Sequence, residues 1–151
     1  MKKVLIAAFS FFALASCGND DDTTTAPAAV LLPKSGVDID EDGTLTSQYE
    51  YDGNKPTRST WSDDTYETYT YADGKLQHMD YYMEGVLTVT TTFAYDGNKL
   101  ASVTSDDFEY QLEDVIQYTY EGSSTVKIKG YIKDLEYPED PLQLNDTGVL
   151  T

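Results

Sequence analysis

The sequence predicts an all-β protein, an antiparallel up-and-down meander of about eight or nine strands in one curved sheet. The first observation is a short phrase, aromatic-x-Tyr followed by an acidic-Gly turn. It reads Tyr49-Glu50-Tyr51-Asp52-Gly53-Asn54-Lys55, then Tyr69-Thr70-Tyr71-Ala72-Asp73-Gly74-Lys75-Leu76. It returns as Phe93-Ala94-Tyr95-Asp96-Gly97-Asn98-Lys99-Leu100 and, more loosely, as Tyr118-Thr119-Tyr120-Glu121-Gly122. The copies begin 20, 24 and 25 residues apart, the length of one β-hairpin. A period in this range marks a repeat architecture. The second observation is strict polar–apolar alternation between the turns, which is the two-residue period of a strand. The third is that no stretch of about ten residues beyond the N-terminal segment carries a helical period.

The repeat domain is read from residue 37 to residue 151. Asp38-Ile39-Asp40-Glu41-Asp42-Gly43 has the D-x-D-x-D-G form of a calcium loop, with alternating oxygen ligands and a Gly at the bend. The twelfth position from Asp38 is Tyr49, however, where an EF-hand needs a bidentate Glu, and no helical pattern flanks the loop. Asp42-Gly43 therefore reads as a hairpin turn, with calcium at Asp38, Asp40 and Asp42 as the weaker alternative. The closing residues Asn145-Asp146-Thr147-Gly148-Val149-Leu150-Thr151 repeat Asp40-Glu41-Asp42-Gly43-Thr44-Leu45-Thr46 and predict a second such turn. Val30-Leu31-Leu32 is a candidate first strand, stopped by Pro33.

From Leu45, the residues Leu45, Ser47, Tyr49 and Tyr51 share one face, and Thr46, Gln48 and Glu50 the other. Asp52-Gly53-Asn54 turns the chain, because Gly and Asn adopt positive φ cheaply. The return strand covers 55–61, with Pro56 near its start, where a missing N–H does least harm. Ser62-Asp63-Asp64 leads into 66–71, Asp73-Gly74 into 76–83, and Glu84-Gly85 into 86–95. In the last of these, Leu87, Val89, Phe93 and Tyr95 face one way, and Thr88, Thr90 and Thr92 the other. Asp96-Gly97-Asn98 leads to 100–104. Asp106-Asp107 then reads as an acidic turn before a strand at 108–112, interrupted by Glu113-Asp114. Ile116, Tyr118 and Tyr120 alternate with Gln117 and Thr119. Glu121-Gly122-Ser123 turns into Val126, Ile128 and Ile132, opposed by Lys127, Lys129 and Lys133. Residues 135–141 form a loop, and 142–144 begin another strand. The chain thus stops one strand into a fresh repeat, either on an unpaired edge or at a truncation.

Strands joined by turns of two to four residues pair antiparallel with their neighbours. With no helix to cover it, such a sheet must curl, stack, or accept water on both faces. The 13 tyrosines suit that situation, since each buries a ring while keeping its hydroxyl wet. The expected shape is an open half-barrel or a loosely closed barrel.

The N-terminus reads as a targeting segment. Met1-Lys2-Lys3 is basic, and residues 4–15 are apolar but too short to span a bilayer as a mature helix. They end in Leu14-Ala15-Ser16-Cys17, which resembles a bacterial lipobox at every position and holds the only cysteine of the chain. The resemblance implies a signal peptide over 1–16, cleavage before Cys17, and acyl chains, palmitate among them, on that residue. Several chains at one site anchor a protein stably. Asp20, Asp21 and Asp22 follow at once and resemble the export signal of Bacteroidota-type surface lipoproteins. That likeness implies display on the cell surface, with a periplasm-facing outer-membrane anchor as the alternative. Residues 17–36 are then a lipidated, acidic, Pro-containing tether.

The chain has a formal charge of −17, and loss of Lys2 and Lys3 leaves 8 of its 10 basic residues against 27 acids. So acidic a surface repels nucleic acid. The repeated phrase resembles the tyrosine-aspartate (Rhs-type YD) repeat across about residues 38–132. With the lipobox, the chain is similar to small Bacteroidota lipoproteins of unknown function with a porin-like up-and-down β fold. The resemblance speaks to architecture and is mute about activity. The chain is also far shorter than the YD-repeat shells that enclose a cargo.

No catalytic constellation stands out. The sole histidine, His78, lies in a predicted strand without a spaced partner, and the sole cysteine is assigned to lipid. The carboxylate pairs Asp63-Asp64 and Asp106-Asp107 fall at predicted turns, where charge is well solvated. No cofactor is implied. The expectation is a non-catalytic, membrane-anchored protein with a structural or interaction role toward another envelope protein. The alternative is polysaccharide binding by the aromatic row Trp61, Tyr66, Tyr69, Tyr71, Tyr81 and Tyr82, whose bland reading is cross-strand pairing.

Overall fold

The computed structural model describes residues 31–40 and 43–151. The readings for residues 1–16, Cys17, Asp20, Asp21, Asp22, Val30 and Asp42 lie outside the described residues. Within them the chain forms ten antiparallel strands and no helix. These are β1 (Ser35–Asp40), β2 (Gly43–Asp52), β3 (Lys55–Trp61), β4 (Tyr66–Ala72) and β5 (Lys75–Met83). They continue as β6 (Val86–Asp96), β7 (Lys99–Asp107), β8 (Leu112–Glu121), β9 (Thr125–Asp134) and β10 (Gln143–Leu150). The sheet order is the sequence order, and among the described residues each strand touches only its immediate neighbours. The result is one open sheet in a single layer, with β1 and β10 as its rims. It is not closed into a barrel.

Several elements differ from the sequence reading. The tenth strand comes from the N-terminal side, where Val37 and Ile39 alternate with Asp38 and pair with Thr46 and Thr44. Leu31 and Leu32 belong to no strand. Asp106 and Asp107 do not turn the chain but end β7, with Asp106 opposite Glu113. The turn is residues 108–111, and Asp107 organises it by accepting backbone N–H bonds from Glu109 and Tyr110, each at 2.9 Å. Glu113 and Asp114 accordingly lie inside β8 rather than interrupting it. The closing phrase also behaves differently from its twin near residue 42. Residues 143–150 form one strand along β9, and Gly148 does not adopt the positive φ that Gly43 shows at 141°.

The turns explain the hairpin spacing. Asp73 and Gly74 have φ of 51° and 79°, and Glu84 and Gly85 repeat those values. Two successive positive φ angles make a type I′ turn, whose twist matches that of the flanking strands. Two residues beyond Lys55, Lys75 and Lys99 the register slips by one, leaving Thr57, Gln77 and Ala101 as extra residues. Such bulges raise the local twist. A fourth bulge at Thr88 moves Leu87 opposite Tyr82, whereas Val89 stays opposite Tyr81. Leu87 therefore leaves the face of Val89 and Phe93 and joins that of the threonines.

Burial in a single layer comes only from neighbours in the sheet. No large side chain is fully buried, and Val115, 8% exposed, is the one buried apolar residue among those described. The most buried residues are short and polar: Ser59 at 2%, Thr91 at 6% and Ser47 at 7%. Each has a larger side chain opposite it on at least one adjacent strand. Ser59 lies between Tyr49 and Glu67, and Thr91 between Met79 and Ser105. Thr91 and Ser105 join hydroxyls at 3.0 Å, so that burial leaves no polar atom unpaired there.

Candidate functional site

Directly opposed residues of antiparallel strands share a face, which sorts the side chains into two sets. Tyr49, Ser59, Glu67, Tyr81 and Val89 follow one another across β2 to β6 on an aromatic face. Thr70, His78, Thr92 and Thr104 follow one another across β4 to β7 on a threonine face. His78 is exposed, its Nδ1 3.2 Å from the Thr92 hydroxyl.

The six aromatics of the expected row divide between these faces. Trp61, opposite Ser47, shares the aromatic face with Tyr69, Tyr71 and Tyr81. Tyr66 and Tyr82 oppose each other one residue out of phase, on the threonine face. Their rings stack at 4.5 Å with planes 10° apart, and the Arg58 guanidinium lies over Tyr66 at 4.0 Å. These two rings spend their faces on protein contacts, and the row is not continuous.

The aromatic face of β3 to β5, with the turn before β4, holds a polar cluster. The Tyr69 hydroxyl donates to the Glu67 carboxylate at 2.5 Å, which leaves Ser59 to donate to Tyr69 at 3.0 Å. Beside them, Thr65 donates through both its backbone N–H and its hydroxyl to Asp63 Oδ1, at 3.2 and 2.6 Å. Tyr81 stands opposite Glu67 on the neighbouring strand. Burial pushes the Glu67 carboxyl above its ordinary range, with the Tyr69 bond opposing the shift. Burial pushes the Tyr69 hydroxyl up as well, and the Glu67 charge adds to it. Tyr81 rises chiefly through burial, reinforced by Asp63 and Glu67. The cluster thus offers carboxylate acceptors and tyrosine rings side by side, suited to stacking and hydrogen bonding with a hydroxyl-rich ligand.

For the calcium alternative, Asp38 stands on β1 opposite Leu45, and Asp40 ends that strand. Among the described residues no group of three or more His, Cys, Asp or Glu is placed to hold a metal ion.

A second arrangement was not anticipated. The ammonium of Lys55 lies 5.3 Å from the Tyr71 ring centroid, that of Lys75 5.4 Å from Tyr95, and that of Lys99 4.8 Å from Tyr120. In each case the lysine of one copy of the phrase covers the second aromatic of the following copy. Lys75 also donates to the Gly97 carbonyl of that next turn. The signal was present in the phrase, since the first three copies end in Lys and the fourth has Ser123 and Ser124 instead. No protein-family model, curated protein or solved structure matches the chain.

Proposed function

We propose that the chain is a non-catalytic, lipid-anchored β-repeat protein of the outer membrane, facing the cell surface, whose sheet serves as an interaction module. The observation that carries this reading is the single cysteine, Cys17, which closes Leu14-Ala15-Ser16-Cys17 at the end of the 12-residue apolar segment 4–15. Asp20, Asp21 and Asp22 support outward display, the resemblance being to a surface-export signal. A sheet with two half-exposed faces and a strongly acidic composition supports an interaction role over catalysis. Metabolic labelling with palmitate tests the anchor: Cys17→Ser is expected to abolish the label, and label that survives the change would overturn the topology.

A second reading, polysaccharide binding, is favoured by Trp61, Tyr69, Tyr71 and Tyr81 sharing one face with Glu67. On this reading the rings stack on sugar planes while Glu67 and Asp63 accept hydroxyl protons. A glycan array separates the two. Retention of one glycan class by the parent and its loss in Trp61→Ala and Tyr81→Ala, both still folded, would establish the binding role. A blank array would leave the interaction-module reading standing alone.

A further inference from the structure

The two rims of the sheet carry the same kind of surface. β10 is exposed along its whole length and pairs with β9 alone; β1 pairs with β2 alone. Each rim therefore has a side on which, among the described residues, no strand meets its outward N–H and C=O groups, which is a template for another strand. Proteins ordinarily blunt such rims with Lys, Pro or inward charges. Residues 147–150 of β10, Thr-Gly-Val-Leu, carry none of these, although a bulge at Asn145 disturbs the other end. β1 has neither Lys nor Pro between Ser35 and Asp40.

Both rims also expose aliphatic side chains, and on the same face. Val37 and Ile39, 67% and 74% exposed, oppose Thr46 and Thr44 and so project from the threonine face. Leu144 and Val149, both 59% exposed, oppose Tyr131 and Lys127 and project from that face as well. Elsewhere this face is built mainly of threonines and charged residues, with Tyr66, Tyr82 and Leu87 among them, so the aliphatics at its two margins are apolar surface that a neighbouring strand would cover.

The strand order is compatible with one partner in particular, a second copy that continues the meander. Strands alternate in direction across the sheet, and among the described residues their number is even. An eleventh strand would run in the direction of β1. A second copy of this chain can thus lay its β1 antiparallel beside β10, continuing the meander with both faces in phase. We propose that the chain associates head to tail with copies of itself, β10 of one against β1 of the next. In that arrangement Val149 lies beside Val37 of the neighbouring copy and Leu144 lies toward its Ile39. The contact is heterologous and leaves a free rim at either end, so it extends into open ribbons rather than closing as a dimer. A formal charge of −17 per copy opposes it, and salt screens that repulsion.

The test uses the full-length chain in detergent, followed by sedimentation velocity over a concentration series at low and high salt. Species larger than the monomer are expected to grow with concentration and with salt. Val149→Lys alone and Ile39→Glu alone should each weaken association about fivefold or more. Mixing the two variants should restore association between unlike chains, because the unaltered β10 of one meets the unaltered β1 of the other. A photo-crosslinking amino acid at position 149 should attach to residues 35–40 of a different copy. A monomer at every concentration and salt would overturn the proposal. So would a crosslink from rim to like rim, or one confined to a single chain. Circular dichroism unchanged from the parent shows that the variants still fold, because both positions are exposed.

Discussion

Ser59 in β3 keeps 2% of its surface exposed, whereas every residue of β10 is exposed. Both belong to one sheet of similar strands, and the difference lies in their neighbours. An inner strand is flanked on two sides by tall side chains, so its short residues are covered from both. A rim strand is flanked on one side, and even its aliphatics stay wet. A single-layer sheet therefore has no core in the ordinary sense. It has a row of shallow hollows between strands, lined by serine and threonine and roofed by tyrosine, methionine and glutamate.

The strongest test of this contrast compares one roofing residue with one rim residue. Tyr69→Ala removes a ring that roofs Ser59 and a hydroxyl that bonds both Ser59 and Glu67. For a half-buried aromatic with two polar partners, the expected loss is about 2–3 kcal/mol of unfolding free energy. Val149→Ala, on the exposed rim, is expected to cost no more than about 0.5 kcal/mol under monomeric conditions. Urea unfolding of both variants measures the two. Equal losses would mean that the middle of the sheet is no better held than its margin.

Charge sharpens the contrast next. Burial holds the folded-state pKa of Glu67 above its unfolded value. Across the interval between the two the folded chain binds more protons, so stability falls as pH rises through it. Glu67→Gln keeps an acceptor oxygen for Tyr69 while removing the charge. The variant is expected to be more stable than the parent at neutral pH, with the advantage fading as both are taken below the ordinary carboxylate range. Asp114, raised by burial and by Asp107, acts in the same direction in both proteins and does not affect the difference. A Glu67→Gln variant less stable than the parent at neutral pH would show that the charge is used rather than tolerated.

Much of the architecture was legible because hairpin turns and strand alternation are local. Asp73-Gly74 and Glu84-Gly85 dictate their turns without reference to the rest of the chain. The misses arose where a local signal had two solutions. Asp107 looked like a turn residue and is one, but it acts from the end of a strand by accepting the turn's N–H groups. The sequence Asp146-Thr147-Gly148 resembles a turn, and pairing with β9 extends it instead. Leu87 follows the strand period until the extra residue Thr88 shifts its face. The candidate site was harder to read. Trp61 and Tyr81 were visible as aromatics, but the carboxylate between them, Glu67, becomes distinctive only when register sets it opposite Ser59 and Tyr81.

The smallest effect concerns the lysine that ends each phrase. Lys75 lies over Tyr95 and donates to Gly97, so it ties the hairpin before it to the one after it. A double-mutant cycle with Lys75→Gln and Tyr95→Leu is expected to give a coupling of about 0.5–1 kcal/mol, typical of a cation over an exposed ring. The fourth phrase offers an internal comparison. There Lys127 meets Glu121 across the turn at 2.6 Å, with both side chains about half exposed, at 51% and 50%. An exposed ion pair of that kind is expected to couple by only about 0–0.5 kcal/mol and to fade as salt is added. The Lys75 coupling, made to a ring and a carbonyl rather than to a free carboxylate, should persist in salt. If both couplings vanish together, the repeated lysine serves the solubility of the turn rather than the joining of hairpins. If only the coupling between Lys127 and Glu121 vanishes, then Lys55, Lys75 and Lys99 form a ladder that stops where the phrase loses its Lys.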